Sequence, residues 1–567
     1  MYLRATPRRN KDGSEVRYLQ LAHNVWDPAA KRSKVQVIYN FGREDAANRE
    51  ALQRLVASVS RFLEPGAALA ASAGEGLEFT RSRPLGGTWV LDGLWKRLGI
   101  GTVMKQLLQG RRLDPAAERV LFALVANRAL APSSKLAASR WMSEDVLIEG
   151  LGEVSDDACY RAMDWLLQIK GPLEREVFHQ VANLLNLEVD LLFFDTTSTY
   201  FETGDEDPAV PRDKHGNLTG GEDKATEGKP GGFRAYGKSK DHRDDLPQVV
   251  IGMAVTRDGI PVRVWCWPGN TGDQALIRQV KDDMRDWTLA RVIWVADRGF
   301  TSSQNRRYLR AGTHHYIIGE KLRSGSAEAA AALSRPGRYQ EVAGNLRVKE
   351  VRIAEDERFV ICHNPDGAER DAAIRARMIT QLTAMIRDSD GLNAARRAGL
   401  RGVISTKPGL NRYLRVTPGG LLRTDAKRIK AEENLDGKYL LRTSEPHLPA
   451  EDIALGYKQL LEVERGWRDM KQVIDLRPVY HRKEERIRAH VILCWLALLL
   501  TRIAETTCSA TWPVLRHDLE RIAIGDFAGP AGTFRQRTEL TRTQNDILAQ
   551  LRIAAPPRIY QLTPASS

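Results

Sequence analysis

Five cysteines in 567 residues, Cys159, Cys266, Cys362, Cys494 and Cys508, stand far apart, and no two have the short spacing of a zinc ribbon or a redox pair. That argues against a disulfide framework and suits a reducing compartment. Long apolar runs are also lacking. The longest, Val491 to Leu500, is too short to span a bilayer and is closed by Thr501 and Arg502, so it reads as a buried helix. The opening MYLRATPRRNKDGS is basic but has no apolar stretch after it, which is not a secretory signal. No phosphate-cradling glycine loop with its following lysine occurs, so no nucleotide cofactor is expected. There is no repeat period. A cytoplasmic protein without a membrane partner is the expectation.

What is present is positive charge. Lys and Arg number 85 against 72 Asp and Glu, a formal net charge of +13 and a pI near 9.5. An excess of that sign favours a polyanionic partner, because neutralised phosphates release condensed counterions. A merely basic enzyme explains the charge almost as well. Hydrophobic residues at 42% and charged residues at 28% fit globular folding, and the length implies about three or four domains.

Residues 1–80 read as a small α+β domain: strands VRYLQLAHNVW and KVQVIYNFG, a helix from about Glu44 to Phe62, then an Ala-, Gly- and Ser-rich linker. Residues 86–187 are helical. ERVLFALVANRAL, a turn at Ala131-Pro132-Ser133-Ser134 and KLAASRWM form a candidate helix-turn-helix that would offer Lys135 and Arg140 to DNA, although such turns occur in any helical domain. Residues 188–314 alternate buried strands with a hairpin at Asp258-Gly259 and a helix. Residues 203–247 read as a charged loop. Residues 315–435 carry short strands around one helix, 436–510 a strand and two long helices, and 511–567 a basic, helical tail.

Two carboxylates draw attention within this pattern. Asp195 follows LLFF and Asp297 follows VIWVA, and an acid at the end of a doubly buried strand is a familiar way to place a metal ligand. One such Asp is more often a turn former, but two in one domain reverse the odds. The chain between them suffices for a hairpin, a third strand and a helix, so their strands can be sheet neighbours. A hard divalent ion needs further oxygen donors, and GYKQLLEVERGWRDMKQV offers Glu464. Tyr457, Glu464 and Lys471 recur every seven residues and share a helix face, while Glu462 lies about 160° away. A carboxylate flanked by a phenol and an ammonium suits a phosphate backbone, with Tyr457 and Lys471 holding the strand to be cut. Taken alone, an amphipathic helix with one charged face explains this spacing too. Arg298 suits a phosphate or a neighbouring acid. Tyr200 and Trp467 suit base stacking or, more simply, packing. His481, Arg482, Lys483, Arg486 and Arg488 form a candidate backbone-binding stripe.

The set DTTSTYFE, PGNTGD, VADRGFTS and Y-x2-L-x3-E-x6-K resembles the DDE transposases of bacterial insertion sequences, specifically the IS-four superfamily, over roughly residues 188–505. The family signature has Arg where this chain has Leu460, and Arg465 or Arg468 are the candidates to supply that phosphate contact. The resemblance implies an α/β fold: an RNase H-like catalytic domain in two parts (188–314 and 436–510) interrupted by a β-rich insertion (315–435), with N-terminal β-containing and helical DNA-binding regions. It implies Asp195, Asp297 and Glu464 as catalytic residues holding two Mg²⁺ ions, for which Mn²⁺ substitutes. It also implies double-stranded DNA as partner, both element ends and target, a homodimer on that DNA, a nucleoid-associated location, and cut-and-paste movement with a hairpin intermediate.

Overall fold

The computed structural model describes residues 2–28, 30–44, 52, 55–56, 78–109, 116–185, 191–213, 215–219, 230–285, 287, 291–323, 325–354, 357–529 and 532–564. Most of the expected 44–62 helix and the linker after it lie outside these residues. The chain forms two compact units, one of Met1–Arg83, Ile522–Leu540 and Pro556–Ser567, the other of Pro84–Arg521 and Thr541–Ala555.

In the first unit, β1 (Tyr2–Arg9), β2 (Glu15–Asp27) and β3 (Arg32–Arg43) make an antiparallel three-stranded sheet. The Lys11-Asp12-Gly13 turn joins the first two, with Gly13 at φ +87° where a side chain would be strained. β4 (Glu78–Pro84) belongs to a second sheet, completed by strands Ala523–Gly529, Gly532–Arg537 and Ile559–Pro564 from the far end of the chain. The segment expected as a helical tail therefore supplies three strands to the first unit. Among its described residues, only Trp512–Glu520 and Arg542–Gln550 are helical.

The second unit begins with α1 (Gly86–Arg97), α2 (Ile100–Leu108), α3 (Ala117–Leu130), α4 (Lys135–Arg140), α5 (Asp156–Gln168) and α6 (Lys170–Leu185). α3 is buried along nearly its whole length. Lys135 is 3% exposed, and burial pushes its ammonium down to about 8, with the Arg128 guanidinium adding to the effect. Arg140 bonds Glu144. The turn between α3 and α4 thus serves core packing and does not offer Lys135 to DNA.

The central sheet has nine strands: β5 (Leu191–Tyr200), β6 (Gln248–Val255), β7 (Pro261–Pro268), β8 (Ile293–Ala296), β9 (His315–Glu320), β10 (Gln340–Ala343), β11 (Leu346–Ala354), β12 (Glu357–His363) and β15 (Lys438–Thr443), with the short pair β13 (Leu414–Val416) and β14 (Leu422–Thr424) apart from it. Its order is β10-β11-β12-β15-β9-β8-β5-β6-β7. β5 pairs antiparallel with the β6–β7 hairpin on one side and parallel with β8 on the other, and β9 is parallel to β8. That five-strand core is the RNase H-like arrangement the resemblance implies. The strands expected in a separate β-rich insertion extend this same sheet instead, through β9, β15 and β12. The physical reason is that β9 and β15 are buried runs that pair on both edges. The mostly helical stretch from α10 (Pro365–Ile386) to Glu433 has its own small core, around Leu382, Ile404 and Tyr413.

Strand alternation assigns the two faces of the sheet. Leu192, Phe194, Trp294, Tyr316 and Ile318 pack against α6, α7 (Asp273–Asp283) and α8 (Ser303–Arg310). The opposite face meets α14 (Ala450–Lys458), α15 (Leu461–Gln472) and α16 (Glu484–Cys508). α16 is long and apolar enough to cross a membrane by length and composition, yet 94% of its apolar window is buried against α3, α5 and β7.

Candidate active site

Register decides which side chains meet. β5 and β8 run parallel with Leu191 opposite Ile293, Phe193 opposite Val295 and Phe194 opposite Ala296. Asp195 and Asp297 are the next residues in each strand, and Asp297 is still extended at φ −71°, ψ 168°. Both therefore project to the face of Leu191 and Val295, the one covered by α14 and α15. β8 stops at Ala296 while β5 continues beside β6 to Tyr200. Asp195 thus lies within its strand, at the step where its neighbour ends, and not beyond the strand end as the sequence suggests. The β-branched threonines after it fit the sheet and prolong the strand.

The helix expected over 450–473 is two helices. Leu460 N–H bonds Tyr457 O, Glu462 N–H bonds Gln459 O and Val463 N–H bonds Leu460 O, a tightened turn between α14 and α15. Leu460, standing where the family has Arg, is buried at this joint. Tyr457 precedes it, and its phenol donates to Asp297 Oδ1 at 3.3 Å. Burial, together with the negative charge of Asp297, pushes that phenol above its ordinary range, so it stays a donor. The close approach depends on Gly319 in β9: a Cβ there would lie 2.5 Å from Tyr457 Oη.

Asp297, Arg298, Tyr457 and Glu464 line one cleft of about 680 Å³, whose walls also carry Lys321, Arg323, Lys438 and Lys458. Glu464 is exposed on that wall. Among the described residues no three carboxylate, imidazole or thiol side chains close on one point. Arg468, one turn beyond Glu464, is exposed. Arg465 is directed elsewhere: it reaches Glu505 at 3.6 Å and Glu462 and Asp469 at 3.9 Å, and lines another cleft with Arg257 and Asp258. It does not replace the missing arginine. Lys471 is held 2.8 Å from Asp241, which Arg477 also approaches at 3.1 Å. Trp467 is buried, and Tyr200 lies under Arg243 and Arg477. In the expected basic stripe, His481 is buried, Arg486 faces Asp164 and Tyr160, and Arg488 binds Glu484 and backbone carbonyls.

Four residues that the sequence did not single out, Thr196, Lys240, Asp241 and Asp273, stand around these side chains. Lys240 Nζ lies 3.7 Å from Asp195 Oδ1 and 3.4 Å from Asp273 Oδ2. It donates to Thr196 O at 2.7 Å, while Thr196 Oγ1 donates to Asp273 Oδ1 at 2.8 Å. Asp273 ends the PGNTGD motif, which was a signal. Lys240 and Asp241 come from a charged loop that gave none.

These residues fit a hard divalent cation. Every donor is an oxygen, the preference of Mg²⁺ and Mn²⁺. The Asp195 side chain is one-fifth exposed. Burial pushes its carboxyl up to about 6, with Asp297 and Asp273 raising it further against the opposing pull of Lys240 and of the Thr196 N–H. A buried carboxylate with acidic neighbours calls for a cation, and Lys240 brings one charge only.

Residues 219–500 match the family model of the transposase DDE domain, and residues 3–71 match that of the IS1634 family transposase N-terminal domain. The first match starts after β5, so Asp195 is placed by strand register. No curated protein matches the chain. Among solved structures, a piggyBac transposase synaptic complex with hairpin DNA is 10% identical over 78% of this chain and 82% of its own, with a TM-score of 0.36. A Mos1 transposase paired-end complex with left transposon end is 14% identical over 38% and 57%, with a TM-score of 0.14. One matched domain spans the Asp297 to Glu464 cleft and the other the N-terminal sheet, and the chain is accordingly a DDE-type insertion-sequence transposase.

Proposed function

We propose that this protein cuts double-stranded DNA at the ends of its element and joins the freed 3′ ends to target DNA. The observation that carries the reading is the parallel register of β5 and β8, which sets Asp195 and Asp297 side by side facing the helix of Glu464. Asp195, Asp297 and Glu464 would hold the divalent metal. A divalent ion there supplies Lewis acidity that lowers the nucleophile's pKa and steadies the leaving oxygen.

The chain's own residues do the rest. Tyr457 fixes the Asp297 carboxylate by its hydrogen bond. Arg298 and Lys458 border the cleft, where phosphate oxygens gain from positive charge. Arg468 takes the phosphate contact left open by Leu460, and Lys471 contacts the strand once released from Asp241. Water is the first nucleophile and the 3′ hydroxyl the second, in a cut-and-paste course through a hairpin. Two copies of the chain hold the two ends together.

The test is a labelled DNA fragment carrying the gene's own flanks, incubated with Mg²⁺ or Mn²⁺ beside the Asp297→Ala protein. Cutting at the element boundary and joining to a plasmid are expected, and both should be absent in the variant. Cutting without joining would make the protein a nuclease. A shift without cutting, equal in both proteins, would make it a DNA-binding protein.

A further inference from the structure

One short loop meets the site with both signs of charge. Lys240 Nζ faces the acids, 3.7 Å from Asp195 Oδ1 and 3.4 Å from Asp273 Oδ2. Its chain neighbour Asp241 faces the cations: Lys471 donates to Asp241 Oδ1 at 2.8 Å, and Arg477 Nη1 lies 3.1 Å from Oδ2. The loop is fastened where it lies. Lys240 N–H donates to Ser198 Oγ of β5 at 2.9 Å, Ser239 N–H to Asp244 Oδ1 at 2.7 Å and Asp241 N–H to Ser239 Oγ at 3.1 Å.

Asp241 matches a phosphodiester in the features that a pair of cations reads. Each carries one negative charge shared between two oxygens, and here each oxygen answers a different cation. The two cations have supports of their own. Lys471 projects from α15 about two turns beyond Glu464, and Arg477 lies over the Tyr200 ring at 4.9 Å. The ion pair is also incomplete: Asp241 Oδ2 is buried yet accepts no well-directed hydrogen bond among the described residues. A buried acceptor left short in this way adds less to the fold than a satisfied one, which makes it easier to exchange for another anion.

We propose that Asp241 is an internal stand-in for a DNA phosphate, which keeps Lys471 and Arg477 occupied until a backbone phosphate displaces it. A duplex must break this ion pair before it reaches the two cations, so Asp241 lowers the affinity of the site for DNA. The effect is the same for every sequence, because backbone phosphates carry no base identity. The inference rests on the reading of DNA as substrate and adds what restrains the site before DNA enters.

The test measures binding of a short labelled duplex by the full-length chain in EDTA, so that no cutting intervenes, at a fixed salt of about 0.15 M. Asp241→Asn keeps the side-chain shape and removes the charge. It is expected to tighten binding about ten-fold, equally for a duplex with the element's terminal sequence and for a scrambled one. In a chain that already carries Lys471→Met and Arg477→Met, the same substitution should change binding by less than about two-fold. Asp205→Asn removes an exposed charge from the same unit and should also stay within about two-fold, because salt screens it. Equal or weaker binding by Asp241→Asn would overturn the inference and make Asp241 a residue that positions Lys471. So would an equal gain in Asp205→Asn, or a gain that survives Lys471→Met and Arg477→Met. Circular dichroism checks folding, and an Asp241→Asn chain that does not fold would make the ion pair structural and overturn the inference as well. Asp297→Ala should bind like the unaltered chain and gain as much from Asp241→Asn, which keeps failure of this inference apart from failure of the catalytic reading. No binding by either the unaltered chain or Asp241→Asn would sink the DNA reading and this inference with it.

Discussion

At Asp195 the electrostatic cost of the site is concentrated in one carboxyl. Its value near 6 lies above the ordinary 3.8, chiefly through burial, so the fold favours the neutral acid. That contribution is complete below about pH 4 and is lost as the pH rises through about 6. In metal-free protein, Asp195→Asn is therefore expected to stabilise the fold on the order of 2 kcal/mol at pH 8 and by nothing measurable at pH 4. Urea unfolding at both pH values in EDTA would show it, and a variant less stable at pH 8 would mean that the Lys240 ion pair outweighs burial. The strands leading to Asp195 and Asp297 and the helix of Glu464 were legible in the sequence because each has a strong apolar or helical pattern. Lys240 and Asp241 were not. They act through position alone, at the end of a loop whose charges look like those of any solvated segment.

At the scale of elements, the contact between β9 and α14 fixes the site. Gly319→Ala would put a methyl group 2.5 Å from Tyr457 Oη, and strain of that kind costs about 1–3 kcal/mol. The obstruction is the hydroxyl itself, so Gly319→Ala with Tyr457→Phe should recover part of the loss. A double-mutant cycle by denaturant unfolding measures this coupling, and strict additivity would show that Tyr457 moves aside freely. The sequence predicted strands, helices and the Asp258-Gly259 hairpin well, since these follow local periodicity. It missed the break at Leu460, because an apolar residue in a helical pattern does not announce a tightened turn. It left open whether the candidate helix-turn-helix offers Lys135 to DNA, because exposure of Lys135 depends on what packs over it.

Across the molecule, α16 is the common support: it meets β7 of the catalytic sheet and the helices α3 and α5. Leu496→Ala removes a side chain with no exposure from that junction and is expected to cost about 2–5 kcal/mol, read as a lower denaturation midpoint. A cost below about 1 kcal/mol would mean that the helical region and the sheet do not share a core. The sequence by itself determined the basic charge, the buried strands that lead to Asp195 and Asp297, the helix that carries Glu464 and the burial of the 491–500 run, because composition and period are local properties. Tertiary structure alone decided that β9 to β12 and β15 continue one sheet, that the end of the chain supplies strands to the first unit, and which charged groups face Asp195 and Lys471. Strand partners and ion pairs depend on long-range packing, and a strand's own pattern of side chains does not specify which edge it joins.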